Sequence, residues 1–190
     1  VAVLAAANSH VPPVLAIVTR FEGPHSDRAI QEMEGEAGRI LSPSGLRVDW
    51  RRSGESFERS YDDLVVVSFK GDCRVSPVPY VYDELGPLAF AYSADGTVEP
   101  FSQVACDKVV RSVRSAMWGS DFARADLLLG RALGRVVVHE LIHMLSKSGH
   151  HAQEGIGRPA LSAKELIGPS PQLSQEDLAL LRGYAMATVP

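Results

Sequence analysis

His139 and His143 stand four residues apart in the stretch HELIHMLSKSGHH, which runs from His139 to His151. On a helix that spacing puts both imidazoles on one face, about one turn apart, where two neutral ring nitrogens share one metal ion. Glu140, beside the first histidine, then points to the rim of the same face. From there it reaches a water activated by the ion without being a ligand. A divalent ion makes water acidic near neutral pH and polarises a carbonyl, and a neighbouring carboxylate takes the water's proton during attack. This is the HExxH arrangement of zinc hydrolases. Chance places such a pattern in a chain of this length on the order of once in a hundred cases or fewer, so a metal site is the better reading than a surface pairing of His with Glu.

The element that must position these residues is a long helix. Leu129, Leu133, Val137, Leu141 and Leu145 recur every fourth residue as a core-facing stripe. Arg131, Arg135, His139, His143 and Lys147 form a second row, rotated well away from the leucines. Ser120-Asp121 is the expected start, with Asp121 and Asp126 suited to the positive N-terminal end. Ser148-Gly149 is the expected end, with Gly149 in the left-handed conformation that turns the chain back. A zinc site needs three protein ligands and an open position, and the returning chain offers His150 or His151 as the third.

The motif resembles the signature of the metzincin clan of zinc endopeptidases, HExxHxxGxxH followed by a methionine-containing turn. His139, Glu140 and His143 match it. Ser146 stands at the family's glycine position and Gly149 at its third-histidine position, with His150 one residue beyond. The resemblance implies a linker longer by one residue, with His139, His143 and His150 holding Zn2+ and Glu140 as general base. His151 remains an alternative ligand, as do Glu154 and, by resemblance to glutamate-ligand zincins, Glu165. It also implies a peptide or protein substrate. An extended substrate would add a strand to an antiparallel sheet edge above the helix, for which the segment from Pro87 to Tyr92 is the candidate. Met186 is the only methionine downstream of the motif; a core contact is its default role and a methionine turn the family's alternative. Tyr184 is a candidate for stabilising an oxyanion. Two other functions fit the same motif: a non-catalytic binding module of zincin fold, and hydrolysis of a non-peptide amide or ester.

The rest of the chain reads as an α+β (mixed α/β) fold. The expectation is a small zincin-like domain with a twisted, mostly parallel sheet and an antiparallel edge strand. A backing helix, the active-site helix and a C-terminal helix complete it. Val14 to Val18 is an apolar run suited to a strand buried on both faces. Ser26 caps a helix carrying Ile30, Met33, Ala37, Ile40 and Leu41, stopped by Pro43 and Gly45. Leu46, Val48 and Trp50 alternate with charged residues as a strand with one wet face, which completes a right-handed crossover unit. Leu64 to Phe69 is a third, central strand. Leu88 to Tyr92 and Phe101 to Cys106 are strands around the turn Ser93-Ala94-Asp95-Gly96. Between them and the third strand, Tyr80 and Tyr82 are loop aromatics that cover the core or line a cleft. Capping boxes at Ser162 to Glu165 and Ser174 to Asp177 open two further helices, the first closed by Gly168-Pro169.

With 190 residues, 45% hydrophobic and 22% charged, the chain fits one globular domain, 1–190, with residues 1–12 as a flexible N-terminal segment. A net charge of −4 and a pI near 5.9 give no reason to propose nucleic acid or an anionic membrane as a partner, and a monomer is assumed. VAVLAAANS at the start has the form of a signal-peptide tail. Cys73 and Cys106, the only cysteines, lack metal-ligand spacing and suit one disulfide in an oxidising compartment. Secretion or a periplasmic location is the matching expectation.

Overall fold

The structure is a computed structural model that describes residues 14–56, 61, 63–76, 86–169 and 171–187. The expectations for residues 1–12 and for Tyr80 and Tyr82 lie outside these. The apolar run at Val14 opens β1 (Val14–Phe21), in which Leu15, Ala16 and Ile17 are fully buried. Ser26 caps α1 (Asp27–Leu41) by accepting from the Ala29 N–H, and Gly45, in the left-handed conformation, closes the short 3-10 turn that follows. The chain then enters β2 (Arg47–Arg52), parallel to β1. β3 (Asp63–Lys70) lies on the other side of β1, also parallel. β4 (Ala89–Ala94) and β5 (Thr97–Ala105) form an antiparallel hairpin, and β5 runs parallel to β3. The strand order is β2-β1-β3-β5-β4. The sheet is thus mostly parallel with one antiparallel edge strand, and β3 is central, as its near-continuous apolar sequence requires.

Two features of the sheet and the chain that leaves it differ from expectation. β5 starts at Thr97, four residues before the expected Phe101, and contains Pro100. That proline falls in the register irregularity between the Ser93↔Val98 and Ala91↔Ser102 pairs, where a residue without an N–H is tolerated. The second is α2 (Cys106–Ala116), which the sequence reading passed over. Its buried Cys106, Val109, Val110 and Val113 keep helical spacing, but valines are strand formers by propensity, and the helix exists because tertiary burial overrides that preference. Cys106, at its first position, is disulfide-bonded to Cys73.

A 3-10 turn over Gly119–Arg124 replaces the expected first turn of the metal helix, with the Asp121 carboxylate accepting from the Trp118 N–H. α3 (Ala125–Ser146) follows and passes through the centre of the molecule. All five stripe residues, Leu129 to Leu145, are buried. α4 (Ala163–Ile167) and α5 (Gln175–Ala187) complete the fold, both opened by the expected capping pairs, Ser162 with Glu165 and Ser174 with Asp177. No helix among the described residues is long and apolar enough to cross a membrane.

α3 is seated against α1 through glycine. A Cβ on Gly130 would stand 2.4 Å from the Ala29 carbonyl oxygen, and one on Gly134 would stand 2.7 Å from that of Met33. Helix backbones touch at these points, so Gly130→Ala must push them apart. Alanine would add about 1 kcal/mol of helix propensity, but overpacking of this kind costs typically about 1–3 kcal/mol, and here the obstacle is main chain. Gly130→Ala is therefore expected to lower stability by about 1–3 kcal/mol, read from the midpoint of urea unfolding. An unchanged or raised midpoint would contradict the close crossing.

Candidate metal centre

The second row of α3 includes a buried ion pair. Arg135 is fully buried; its Nε donates to Glu36 Oε1 of α1 at 2.8 Å, and its Nη2 donates to the Gly168 carbonyl at 3.0 Å. Another nitrogen of the same guanidinium, Nη1, binds the Glu165 carbonyl. One side chain therefore ties α1, α3 and the end of α4 together one turn before His139, which fixes where the histidine face of α3 points.

His139 and His143 lie on that face with their Nε2 atoms 3.1 Å apart. α3 ends at Lys147, whose φ of 53° makes it the left-handed residue of the turn. Gly149 does not take that conformation, so the reversal comes two residues earlier than expected. The earlier turn changes which histidine comes back. His151 returns to the pair, its ring centroid 5.3 Å from that of His139 and 4.7 Å from that of His143. One ligand atom from each of His139, His143 and His151 lies within 4.8 Å of the others. His150 points away: its Nε2 is 3.2 Å from Glu176 Oε1 on α5, with two-thirds of the side chain exposed. The residue brought beside the pair is thus His151 and not the expected His150, which pairs with α5 instead.

The loop that carries His151 also orients the two helical imidazoles. His139 Nδ1 lies 2.9 Å from the Ile156 carbonyl oxygen, and His143 Nδ1 lies 2.9 Å from that of Ser148. A carbonyl only accepts, so both Nδ1 atoms carry the proton and both Nε2 atoms are left with a lone pair. Two lone pairs facing each other repel unless a cation lies between them. A tetrahedral zinc ion, with nitrogens at about 2.0–2.1 Å, sets its ligand atoms about 3.3 Å apart, close to the separation found. The donor set therefore fits a transition-metal ion, with the backbone carbonyls as the outer partners such histidines require. The loop is itself held by Ala152 N–H to Gly157 O at 3.0 Å and Ile156 N–H to Gln172 O at 3.2 Å. Gly157 lets the buried Asp177 carboxylate approach, since a Cβ there would stand 2.5 Å from Asp177 Oδ2.

Electrostatics favour the same state. Burial lowers the pKa of His139, against the opposing pull of the Ile156 carbonyl. Burial, with the neighbouring His143 and His150, lowers that of His151. Both rings are thereby biased toward the neutral form that binds metal. Glu140 is 3% exposed, its Oε2 has no hydrogen-bond partner, and burial pushes its pKa from 4.5 up to about 7.

A stability measurement follows from that carboxyl. Its folded-state pKa lies above its unfolded value, so its contribution to stability is fully present below about pH 4.5. The contribution is lost as pH rises through about 7. In chelator-treated protein the loss amounts to about 3 kcal/mol. The readout is the difference between wild type and Glu140→Gln, because buried histidines drive stability the other way. The wild-type protein is expected to lose stability relative to Glu140→Gln between pH 4.5 and 7 in urea titrations, and parallel curves would contradict a buried, unpartnered Glu140.

The remaining candidates lie elsewhere. Glu165 caps α4 through the Ser162 N–H and pairs with Arg158, and Glu154 is an exposed loop residue. Met186 is 77% exposed and so is neither a core contact nor a platform beneath the histidines. The Tyr184 hydroxyl is bonded to Asp63. Asp107 accepts from the Asp72 N–H and Asp121 caps its own turn, so neither orients a histidine. Sequence reasoning missed the two carbonyls that do, because main-chain acceptors leave no trace in residue types.

The trio opens into a cleft of about 480 Å³ between α3 and β4, lined by Glu140 and by Ala89, Phe90, Ala91 and Ser93 as well as the three histidines. β4 is the sheet's edge on this side, and it overlaps the expected edge segment. A second pocket, about 230 Å³, shares His139, Glu140, Pro87 and Ala89 with the cleft.

No protein-family model and no curated protein matches the chain. Among solved structures, the crystal structure of archaemetzincin from Methanopyrus kandleri is similar over 96% of this chain and 99% of that chain, with 14% sequence identity and a TM-score of 0.49. At that identity and score, the role of each residue rests on its own geometry in this chain. What that geometry establishes is a mixed α/β fold that presents His139, His143 and His151 as a group able to hold a metal ion.

Proposed function

We propose that the protein is a zinc-binding module that uses the ion to hydrolyse peptide bonds. The observation that carries the metal-binding part is the pair of Nε2 atoms facing each other at 3.1 Å, with both Nδ1 atoms engaged by carbonyls and His151 beside them. His139, His143 and His151 would hold the ion. When bound, it supplies Lewis acidity, which makes water a stronger acid and a carbonyl a better electrophile. Three imidazoles also suit other transition ions, so zinc rests on the likeness of the motif to zinc hydrolases.

The catalytic part is supported by Glu140. A buried carboxyl group whose Oε2 has no hydrogen-bond partner, at the rim of the cleft beside the histidines, is in place to take a proton from water and return it to the leaving amine. Burial raises its pKa to about 7 with no ion present, and a bound dication would favour the carboxylate that accepts a proton. The edge strand β4 beside the cleft would bind an extended peptide by main-chain hydrogen bonds, with the histidine trio beneath the scissile bond. A secreted or periplasmic location agrees with the Cys73–Cys106 disulfide.

A second reading is favoured by the loop geometry. His151 and the carbonyls of Ser148 and Ile156 come from one loop bonded across the histidine face, so an ion would staple that loop to α3 even without chemistry. In that case the module binds metal and does not catalyse. The test is metal analysis of the purified protein, followed by incubation of the zinc-loaded form with a library of internally quenched peptides. One zinc per chain with chelator-sensitive cleavage supports the peptidase. One zinc per chain, a higher melting temperature and no cleavage supports the structural role. No metal uptake on titration removes both.

A further inference from the structure

The 230 Å³ pocket beside His139 and Glu140 is small, the size of an amino-acid side chain, and its walls are mostly apolar. Leu88, Val136, Leu161 and Leu166 line it. Besides His139 and Glu140, the charged or polar side chain that borders it is Arg158. Its Nη2 is paired with Glu165 Oε1, and its Nε is buried with no hydrogen-bond partner. Glu165 cannot swing freely, because its other oxygen accepts from the Ser162 N–H in the capping box of α4. The Ser162 hydroxyl and N–H, together with Arg158, lower its pKa to about 2, so it stays charged at neutral pH. It therefore holds the guanidinium in place. Glu165 lines the neighbouring cavity that Arg158 also borders, and not this one. The counter-ion of Arg158 therefore does not line this pocket, and among the described residues Glu140, beside His139, is the one acidic group that does.

Arg158 borders this mostly apolar slot and carries a buried donor without an acceptor, so a small shift of its side chain toward a ligand that brings an acceptor is favoured. The planar guanidinium fork matches a carboxylate better than any neutral group. We infer that Arg158 makes this pocket a carboxylate-selective subsite for the substrate residue seated next to the histidine trio. This rests on the peptidase reading. The carboxylate comes either from an aspartate or glutamate side chain or from the free C-terminus of a short peptide. The Glu165 pair already offsets part of the charge, so the expected preference over the neutral amide is about tenfold rather than several hundredfold.

The test uses the zinc-loaded full chain in two arms. In the first, an acetylated peptide library, half amidated and half with free C-termini, is digested and the products are sequenced by mass spectrometry. Wild type is expected to favour Glu and Asp over Gln and Asn about tenfold at one position beside the cut, and Arg158→Met is expected to bring that ratio to about one. Preference for free over amidated termini, lost in the same variant, supports the same subsite with the chain end as its source. A ratio near one in wild type, or one unchanged in Arg158→Met and Arg158→Lys, overturns the inference.

The second arm does not depend on turnover. The Arg158 Nε–Hε NMR signal of zinc-loaded Glu140→Gln is titrated with acetyl-Ala-Glu-Ala-amide, acetyl-Ala-Gln-Ala-amide and acetyl-Ala-Ala-Ala free acid. A shift that saturates at about tenfold lower concentration with a carboxylate peptide than with the glutamine peptide supports the assignment. Equal or absent responses overturn it. Should no peptide be cleaved in the first arm, the peptidase reading fails while this titration still decides the role of Arg158.

Discussion

Replacing Glu140 by alanine or glutamine is expected to leave one zinc per chain and to reduce peptide hydrolysis by about 10²–10⁴-fold, the usual contribution of a positioned general base. Glu140 is not among the residues whose atoms cluster as ligands, so metal content should not change. The reason to expect a large kinetic effect is the state of its carboxyl. It is buried, Oε2 has no partner, and the group lines both the cleft and the side pocket. Burial costs the charged form about 3 kcal/mol without an ion nearby, a placement hard to explain by packing alone. An adjacent dication favours the carboxylate, so zinc binding and the readiness of the base are coupled. His143→Ala, by contrast, should lose both metal and activity. The measurement pairs zinc stoichiometry with cleavage rate on the same preparations. A Glu140→Ala protein that still cuts at the wild-type rate would refute the general-base role, while zinc-dependent stability without cleavage in wild type would leave the ion a structural staple.

His151→Ala should lower zinc affinity by more than the roughly 10–100-fold that loss of an outer partner costs, whereas His150→Ala should leave it nearly unchanged. The two residues are neighbours with the same chemistry, so the comparison isolates position. His151 packs against both helical imidazoles. His150 is two-thirds exposed and pairs with the exposed Glu176, an interaction of the kind worth little at a surface. Competition against a chromogenic chelator gives both affinities. The opposite ranking would return the third-ligand role to His150 and would mean that the loop after α3 takes another path.

The two substitutions separate what is local from what is not. The i, i+4 pair His139 and His143, the intervening Glu140 and the leucine stripe from Leu129 to Leu145 are readable because helix periodicity depends on backbone geometry alone. The helix caps at Ser26, Ser162 and Ser174 are readable for the same reason, since each joins residues three apart. Parallel pairing of β1 with β2 was also legible, because the two strands flank a helix, as was a central β3, a near-continuous apolar run. α2 was not: its buried valines carry strand propensity, and only packing against the rest of the core makes them helical.

The amino-acid order by itself therefore determined two candidate ligands, the candidate base and the helix that carries them. Which neighbour completes the trio was decided elsewhere. The left-handed turn at Lys147, the Ala152–Gly157 and Ile156–Gln172 main-chain bonds and the Asp177 carboxylate against Gly157 set the course of residues 148–157. The carbonyls of Ser148 and Ile156 orient the imidazoles through main-chain atoms that every residue type shares. A loop's direction is a sum of contacts distant in sequence, so moving its turn by two residues exchanges His150 for His151 without altering any pattern that the sequence displays.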